Sequence, residues 1–241
     1  MLLNQNYQHL SFDLWLTLIR SNPDFKKKRA AHFHQHFNYN NCTLEQVEHA
    51  FRQVDVMCNL INEKTGKNID ADEMYLMVLS MMNNANAKVW QINVNALYAD
   101  MEALLFQNLP LPYSAETLNA LAYLKQNTNA TIGILSNTGF IKGVTLRKVL
   151  NQIGIDRYID VQLYSDEVGM SKPNTGFFKM MLEQLKQHHI QVDLDRIIHI
   201  GDNPIADVGG ANTVGIRSQL INSNHIYLTD IIDNAHHLLL T

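Results

Sequence analysis

The sequence predicts an α/β protein: a parallel sheet wrapped by helices, with an all-helical segment inserted after the first strand. Three observations carry this. From about residue 110 onward, short β-rich apolar runs alternate with helical ones, the pattern of a parallel sheet covered on both faces. Between about residues 22 and 108 every periodic stretch is helical and no alternating strand pattern occurs. Two apolar runs, ending at Phe12 and Gly201, are followed at once by aspartate. A carboxylate at the carboxyl end of a strand faces the crevice where α/β proteins bind ligands.

Taken in order, Leu10-Ser11-Phe12 is the first strand, with Asp13 at its end. Ser21-Asn22-Pro23-Asp24 starts a helix, with a capping side chain, a proline in the first turn and an acid beside it. Ala30, Phe33 and Phe37 share its apolar face. Thr43 and Gln46 form a capping box for a second helix, apolar at Val47, Ala50, Phe51, Val54, Cys58 and Ile61 and stopped at Thr65-Gly66. Asp70 and Glu73 open a third, expected to bury Met74, Met77, Val78 and Met81. A fourth is expected from about Gln91 to Asn108, through Val94, Leu97, Met101, Leu104 and Leu105. Pro110-Leu111-Pro112 marks a boundary. Beyond it Leu118 to Leu124, Ile141 to Leu150 and Phe177 to Leu185 read as helices. Thr131 to Leu135, Ile159 to Tyr164 and Ile197 to Ile200 read as strands, and a short helix leads to Val214-Gly215-Ile216. Two domains are expected, a core from residues 1–20 and 110–241 and a helical insertion from 22–108.

Composition bounds the partners. A hydrophobic fraction of 46% and a charged fraction of 17% suit a globular protein with a sizeable core. A net charge of -4 argues against a nucleic-acid binder. The one basic run, Lys26-Lys27-Lys28-Arg29, reads as a solvated helix face. The two cysteines, Cys42 and Cys58, form no metal or disulfide pattern and suit a reducing compartment. The first ten residues lack a signal-peptide pattern and no stretch approaches a membrane span, so a cytoplasmic location is expected. His32, His34 and His36 cannot share one helical face, so surface histidines are expected there. The pairs His188-His189 and His236-His237 have no carboxylate partner in the pattern and receive no role.

The partners of Asp13 make it informative. Thr131 to Leu135 ends in Ser136-Asn137; Lys172 precedes Pro173; Ile197 to Gly201 ends in Asp202, with Asp207 five residues on. In order and spacing, Asp13, Ser136, Lys172, Asp202 and Asp207 resemble the four motifs of the haloacid dehalogenase (HAD) superfamily. The resemblance covers about residues 8–20 and 110–220. It implies a Rossmann-like core and identifies the helical insertion as a C1-type cap. It also implies Mg²⁺ held by Asp13, the backbone carbonyl of Trp15, Asp202 and Asp207. Three carboxylates at one sheet edge repel one another, and a divalent cation with oxygen ligands relieves that. Asp202 has a blander reading, as cap of the helix beginning near Pro204.

By the same resemblance Asp13 is the nucleophile of an aspartyl intermediate. Lys172 neutralises the carboxylates and an incoming phosphoryl group. Ser136 and Asn137, with Lys172, contact the transferring oxygens. Thr17 ties the loop after the strand, and Leu16 stands where the family commonly has glycine. Trp15 departs most. Phosphatases of the family carry aspartate there to protonate the leaving alkoxide and activate water, and an indole N–H does neither. The expected function is Mg²⁺-dependent phosphatase chemistry on a small phosphorylated metabolite, weakened by Trp15. Two alternatives stand beside it. One is an attenuated domain that binds a phosphorylated ligand or partner. The other is a metal-free 2-haloacid dehalogenase, favoured by an aromatic residue at 15 and opposed by Asp202. Substrate identity and oligomeric state are not encoded in any motif.

Overall fold

The computed structural model describes residues 7–188 and 191–232, so His189, His236 and His237 lie outside it. The chain begins with β1 (His9–Phe12) and β2 (Ile19–Arg20). Helices α1 (Pro23–His36), α2 (Leu44–Thr65), α3 (Ala71–Met82) and α4 (Val94–Phe106) follow. Then come β3 (Leu111–Pro112), α5 (Thr117–Asn127), β4 (Thr131–Ser136), α6 (Gly143–Gln152), β5 (Val161–Tyr164), α7 (Ser165–Val168) and α8 (Thr175–Leu185). The described chain closes with β6 (Ile197–Gly201), α9 (Gly210–Thr213), β7 (Arg217–Leu220) and α10 (Leu228–Ile231). No described helix is long and apolar enough to cross a membrane.

Five strands form one parallel sheet in the order β5-β4-β1-β6-β7. β1 is central and buried along its whole length, which explains its unbroken burial where a half-exposed strand would alternate. Side chains still divide by period two. Leu10, Phe12, Ile132, Ile134, Ile198 and Ile200 join a cluster with α5 and α6 through Leu121, Leu124, Leu146 and Val149. Leu135 and Ile197 pack instead with Phe177, Phe178, Met181 and Leu185 of α8. Phe12 pairs with both Ile134 and Ile200, so Asp13, Ser136 and Asp202 leave the sheet at the same end.

Residues between β2 and β3 form helices around their own core, built on Phe33, Phe51, Val54, Met74, Tyr75, Val78 and Leu97. The capping side chains are those expected: Asn22, Thr43 with Gln46, and Asp70 with Glu73. Three burial expectations are corrected. Ile61 and Met81 are exposed and Met77 is only partly buried, while Asn62, Leu79 and Met82 are buried. A straight helix drifts against a fixed apolar repeat, so the buried stripe reaches Asn62 four residues after Cys58. Asn62 is buried because its Oδ1 accepts from the Ile69 N–H at 3.0 Å. The fourth helix starts at Val94, later than expected, because Asn93 caps it and a 3-10 turn occupies Ala87–Gln91. β2 and β3 pair antiparallel on either side of the helical segment. At two residues each they are too short to carry a period-two signal.

Candidate active site

Asp13 is fixed at the end of β1 by its N–H, which donates to the Ile200 carbonyl at 2.8 Å. The chain then turns tightly. Leu18 and Ile19 both donate to the Leu14 carbonyl, and Leu16 donates to that of Ile19 at 2.7 Å. This turn requires a left-handed residue, and Leu16 adopts φ 59°. The position thus keeps the backbone that glycine favours, although leucine occupies it. The Thr17 hydroxyl donates back to Asp13 Oδ2 at 3.3 Å. It ties the loop, as expected, and does so through the Asp13 carboxylate itself.

Lys172 joins the acids. Its ammonium donates to Asp13 Oδ1 at 2.7 Å and to Asp207 Oδ1 at 2.6 Å, and it is 1% exposed. Asn137 holds Lys172 in place: its Nδ2 donates to the Lys172 carbonyl at 3.0 Å and its Oδ1 accepts from the Lys172 N–H at 2.7 Å. The Asn137 side chain is therefore spent on the lysine. Ser136 is buried at the end of β4, with its hydroxyl on the Asn137 carbonyl at 3.1 Å. Asp202 is half-buried beside this pair of elements. It does not cap the following turn, because Asn203 Oδ1 accepts from Ile205 and Ala206 N–H.

Among the described residues, Asp13, Asp202 and Asp207 form a group whose ligand atoms lie within 4.8 Å of one another. Burial, and then the neighbouring carboxylates set against Lys172, push the Asp13 carboxyl up to about 7. Burial and the nearby Asp207 charge push Asp202 up to about 6. Burial also opposes ionisation of Asp207, but the Lys172 ammonium and the His199 hydrogen bond outweigh it and hold it below the ordinary range. The Lys172 ammonium loses hydration on burial, and the charges of Asp13 and Asp207 overcompensate and raise it. Two strained carboxyls around a single lysine make an all-oxygen donor set short of positive charge, which fits a hard divalent cation.

His199 was not identified from the sequence. Its Nε2 contacts Asp207 Oδ1 at 3.1 Å, its Nδ1 contacts Ser11 Oγ at 2.8 Å, and Phe178 meets its ring edge-on. Burial and the Lys172 charge lower its pKa. A signal existed: Ser11 and His199 are polar positions in two apolar strands and are paired in register. Trp15 is half-buried against the main sheet cluster. The basic run divides. Lys26, Lys27 and Lys28 are exposed as expected, but Arg29 is buried, its guanidinium over Phe51 at 4.1 Å and Phe140 at 4.4 Å. His32, His34 and His36 join no metal-capable group among the described residues.

The helical insertion reaches this crevice through the end of α2. The Gly66 carbonyl accepts from Ser171 N–H at 3.1 Å and Asn174 Nδ2 at 2.9 Å, and Asn68 Oδ1 accepts from Ser165 Oγ at 2.7 Å. Glu63 Oε1 accepts from Asn203 Nδ2 at 3.2 Å. None of these contacts was legible as a site in the sequence.

A parallel five-stranded sheet, acids at its carboxyl edge and a buried lysine between them define a class of α/β hydrolase. Residues 7–215 match the family model of the haloacid dehalogenase-like hydrolases, and the chain belongs to that family. It is 34% identical over 116 residues to the pyrimidine 5'-nucleotidase YjjG of Escherichia coli, covering 48% of this chain and 46% of that one. It is 30% identical over 126 residues to a ribulose-1,5-bisphosphate 5-phosphatase of Halopiger xanaduensis, covering 52% and 48%. The chain thus spans about half the length of the curated relatives it matches. Among solved structures, the HAD-hydrolase YfnB of Bacillus subtilis, bound to magnesium, superposes with a TM-score of 0.66 at 17% identity, covering 98% of this chain and 100% of that one. A HAD phosphatase of Thermococcus onnurineus gives 0.60 at 19% identity, covering 90% and 87%.

Proposed function

We propose that this hydrolase is a Mg²⁺-dependent phosphatase of a small phosphorylated metabolite, working through an aspartyl phosphate on Asp13. The observation that carries the reading is the Asp13–Lys172–Asp207 chain of hydrogen bonds with Asp202 alongside. Relatives named as a nucleotidase and as sugar-phosphate phosphatases support a phosphate monoester as substrate. Asp13, the Trp15 carbonyl, Asp202 and Asp207 would hold the metal. When bound, it supplies positive charge against the phosphoryl oxygens. The chain's own residues do the rest. The Asp13 carboxylate attacks phosphorus, with Thr17 and Lys172 fixing its two oxygens. Lys172 takes up the charge that spreads over the transferring group. The backbone N–H of Asn137 donates to its oxygens, and the Ser136 hydroxyl joins it by rotating off the Asn137 carbonyl. In this reading residues 1–20 and 110–241 are the core, and 22–108 is a cap that closes the crevice and selects the leaving group.

The test is phosphate release across a panel of metabolites, with Mg²⁺ and with chelator. Turnover only with Mg²⁺ is expected. A second reading has one observation behind it. Trp15 cannot exchange a proton, so the domain would bind a phosphorylated ligand and not turn it over. Hydrolysis of an aryl phosphate, whose leaving group needs little protonation, rules that out.

A further inference from the structure

Position 15 leaves the proposed chemistry without a group to protonate the leaving oxygen and to activate water. Any replacement must sit across the crevice from Asp13, on the side from which the ester oxygen departs. It must also carry an exchangeable proton within about 2.6–3.2 Å of that oxygen once substrate is bound. Glu63 lies in the last turn of α2. Its Oε1 accepts from Asn203 Nδ2 at 3.2 Å, and the Asn203 N–H donates to Asp207 Oδ2 at 2.9 Å. One residue therefore separates Glu63 from the acidic cluster. Among the described residues, it is the carboxylate of the helical insertion that is hydrogen-bonded to the loop after β6.

Its placement is rigid. Gly66 ends α2 at φ 67° and donates to the Asn62 carbonyl at 2.8 Å. Its own carbonyl is held by Ser171 and Asn174, on either side of Lys172-Pro173. An added Cβ at Gly66 would lie 2.9 Å from Asn174 Nδ2, so the two segments meet at close range. Asn203 is equally fixed, since its Oδ1 caps the next turn and only its Nδ2 points to Glu63. Glu63 is half-buried, and the hydrogen bond it makes to Asn203 uses Oε1, not Oε2. One oxygen anchors the side chain and the other is available.

We propose that Glu63 is the general acid–base catalyst that position 15 lacks. This rests on the phosphatase reading above. In the first step an Asp13 oxygen bonds to phosphorus and the ester P–O bond breaks. The electron pair goes to the leaving oxygen, which takes the Glu63 proton. In the second step the Glu63 carboxylate takes a proton from water as the water oxygen bonds to phosphorus. The Asp13–phosphorus bond breaks, inorganic phosphate leaves, and both carboxyl groups return to their starting forms.

The test compares ethyl phosphate and p-nitrophenyl phosphate in wild type and in Glu63→Gln, which keeps an oxygen acceptor for Asn203. Ethyl phosphate turnover is expected to fall about 10²–10⁴-fold. With p-nitrophenyl phosphate the variant is expected to release about one nitrophenolate per enzyme in a fast burst and then slow, because only the second step then needs the missing base. Mg²⁺ affinity by calorimetry and the melting temperature should match wild type. Glu63→Ala provides a second route, with turnover rescued by added formate. Equal loss on both substrates without a burst, or no loss, overturns the inference, as does absence of formate rescue in a folded Glu63→Ala. If wild type hydrolyses neither phosphate, the phosphatase reading fails and the inference falls with it. If wild type is active and Glu63→Gln is unchanged, the inference alone fails.

Discussion

Lys172 is the residue on which the site balances. It is nearly inaccessible and donates to two carboxylates that would otherwise face each other in a medium of low polarity. Lys172→Met should cost about 3–5 kcal/mol in a urea titration, the usual penalty for stranding a buried charge. A loss below about 1 kcal/mol would mean the pair is worth no more than a surface ion pair. Asp13 carries a pH signature. Its carboxyl lies near 7 against an ordinary value of 3.8, so the folded apoprotein keeps a proton that the unfolded chain has released. The resulting penalty is absent below 3.8 and complete above about 7, and stability from this group therefore falls as pH rises through that window. In the proposed function Mg²⁺ would bind the ionised form. Its affinity should rise between pH 6 and pH 8 with proton release at the lower pH, measured calorimetrically in two buffers. A pH-independent affinity would contradict this. Trp15→Asp should restore ethyl phosphate turnover in the Glu63→Gln background and add little in wild type. A folded double variant that binds Mg²⁺ but regains nothing would show that residue 15 does not face the leaving group.

At the scale of elements, two turns set the site, and each depends on a left-handed residue. Leu16 meets the requirement with a side chain that strains the backbone by about 1–2 kcal/mol. Leu16 is exposed, so Leu16→Gly should leave stability unchanged or raise it by up to about 1 kcal/mol, after the entropy glycine adds to the unfolded chain. Destabilisation beyond about 1 kcal/mol would show that the leucine side chain packs in a way its exposure conceals. The sequence offered Asp13, Ser136 and Asp202 because each follows or ends an apolar strand, where a polar residue is visible locally; Lys172 lies in the loop between α7 and α8, and only its order among the other motifs marked it. It also offered the capping residues Asn22, Thr43 and Asp70, which act within their own helices. It did not reveal His199, Glu63, Asn68 or the burial of Arg29. They depend on partners distant in sequence, Ser11 for His199, Asn203 for Glu63 and Ser165 for Asn68, or on how the helices rotate against one another, and no single stretch encodes either.

At the scale of the molecule, the alternation of strand and helix was legible because a parallel sheet needs a helix between consecutive strands. That the segment before Pro110 is helical was legible as a change of period there. What lay beyond reach was the seam between the two cores, where the end of α2 meets the loops before Lys172 and after Asp202. At the end of α2 that seam is polar and built from ordinary residues, and elsewhere Phe140 packs into the helical cluster beneath Arg29. The central claim is that Asp13 is the nucleophile of a metal-dependent phosphate transfer. Its most direct test is the steady-state hydrolysis of p-nitrophenyl phosphate by wild type and by Asp13→Asn, each with Mg²⁺ and with chelator. We predict turnover by wild type with Mg²⁺ and loss of at least about 10²-fold in the other three conditions. Turnover that survives in Asp13→Asn or in chelator would contradict it.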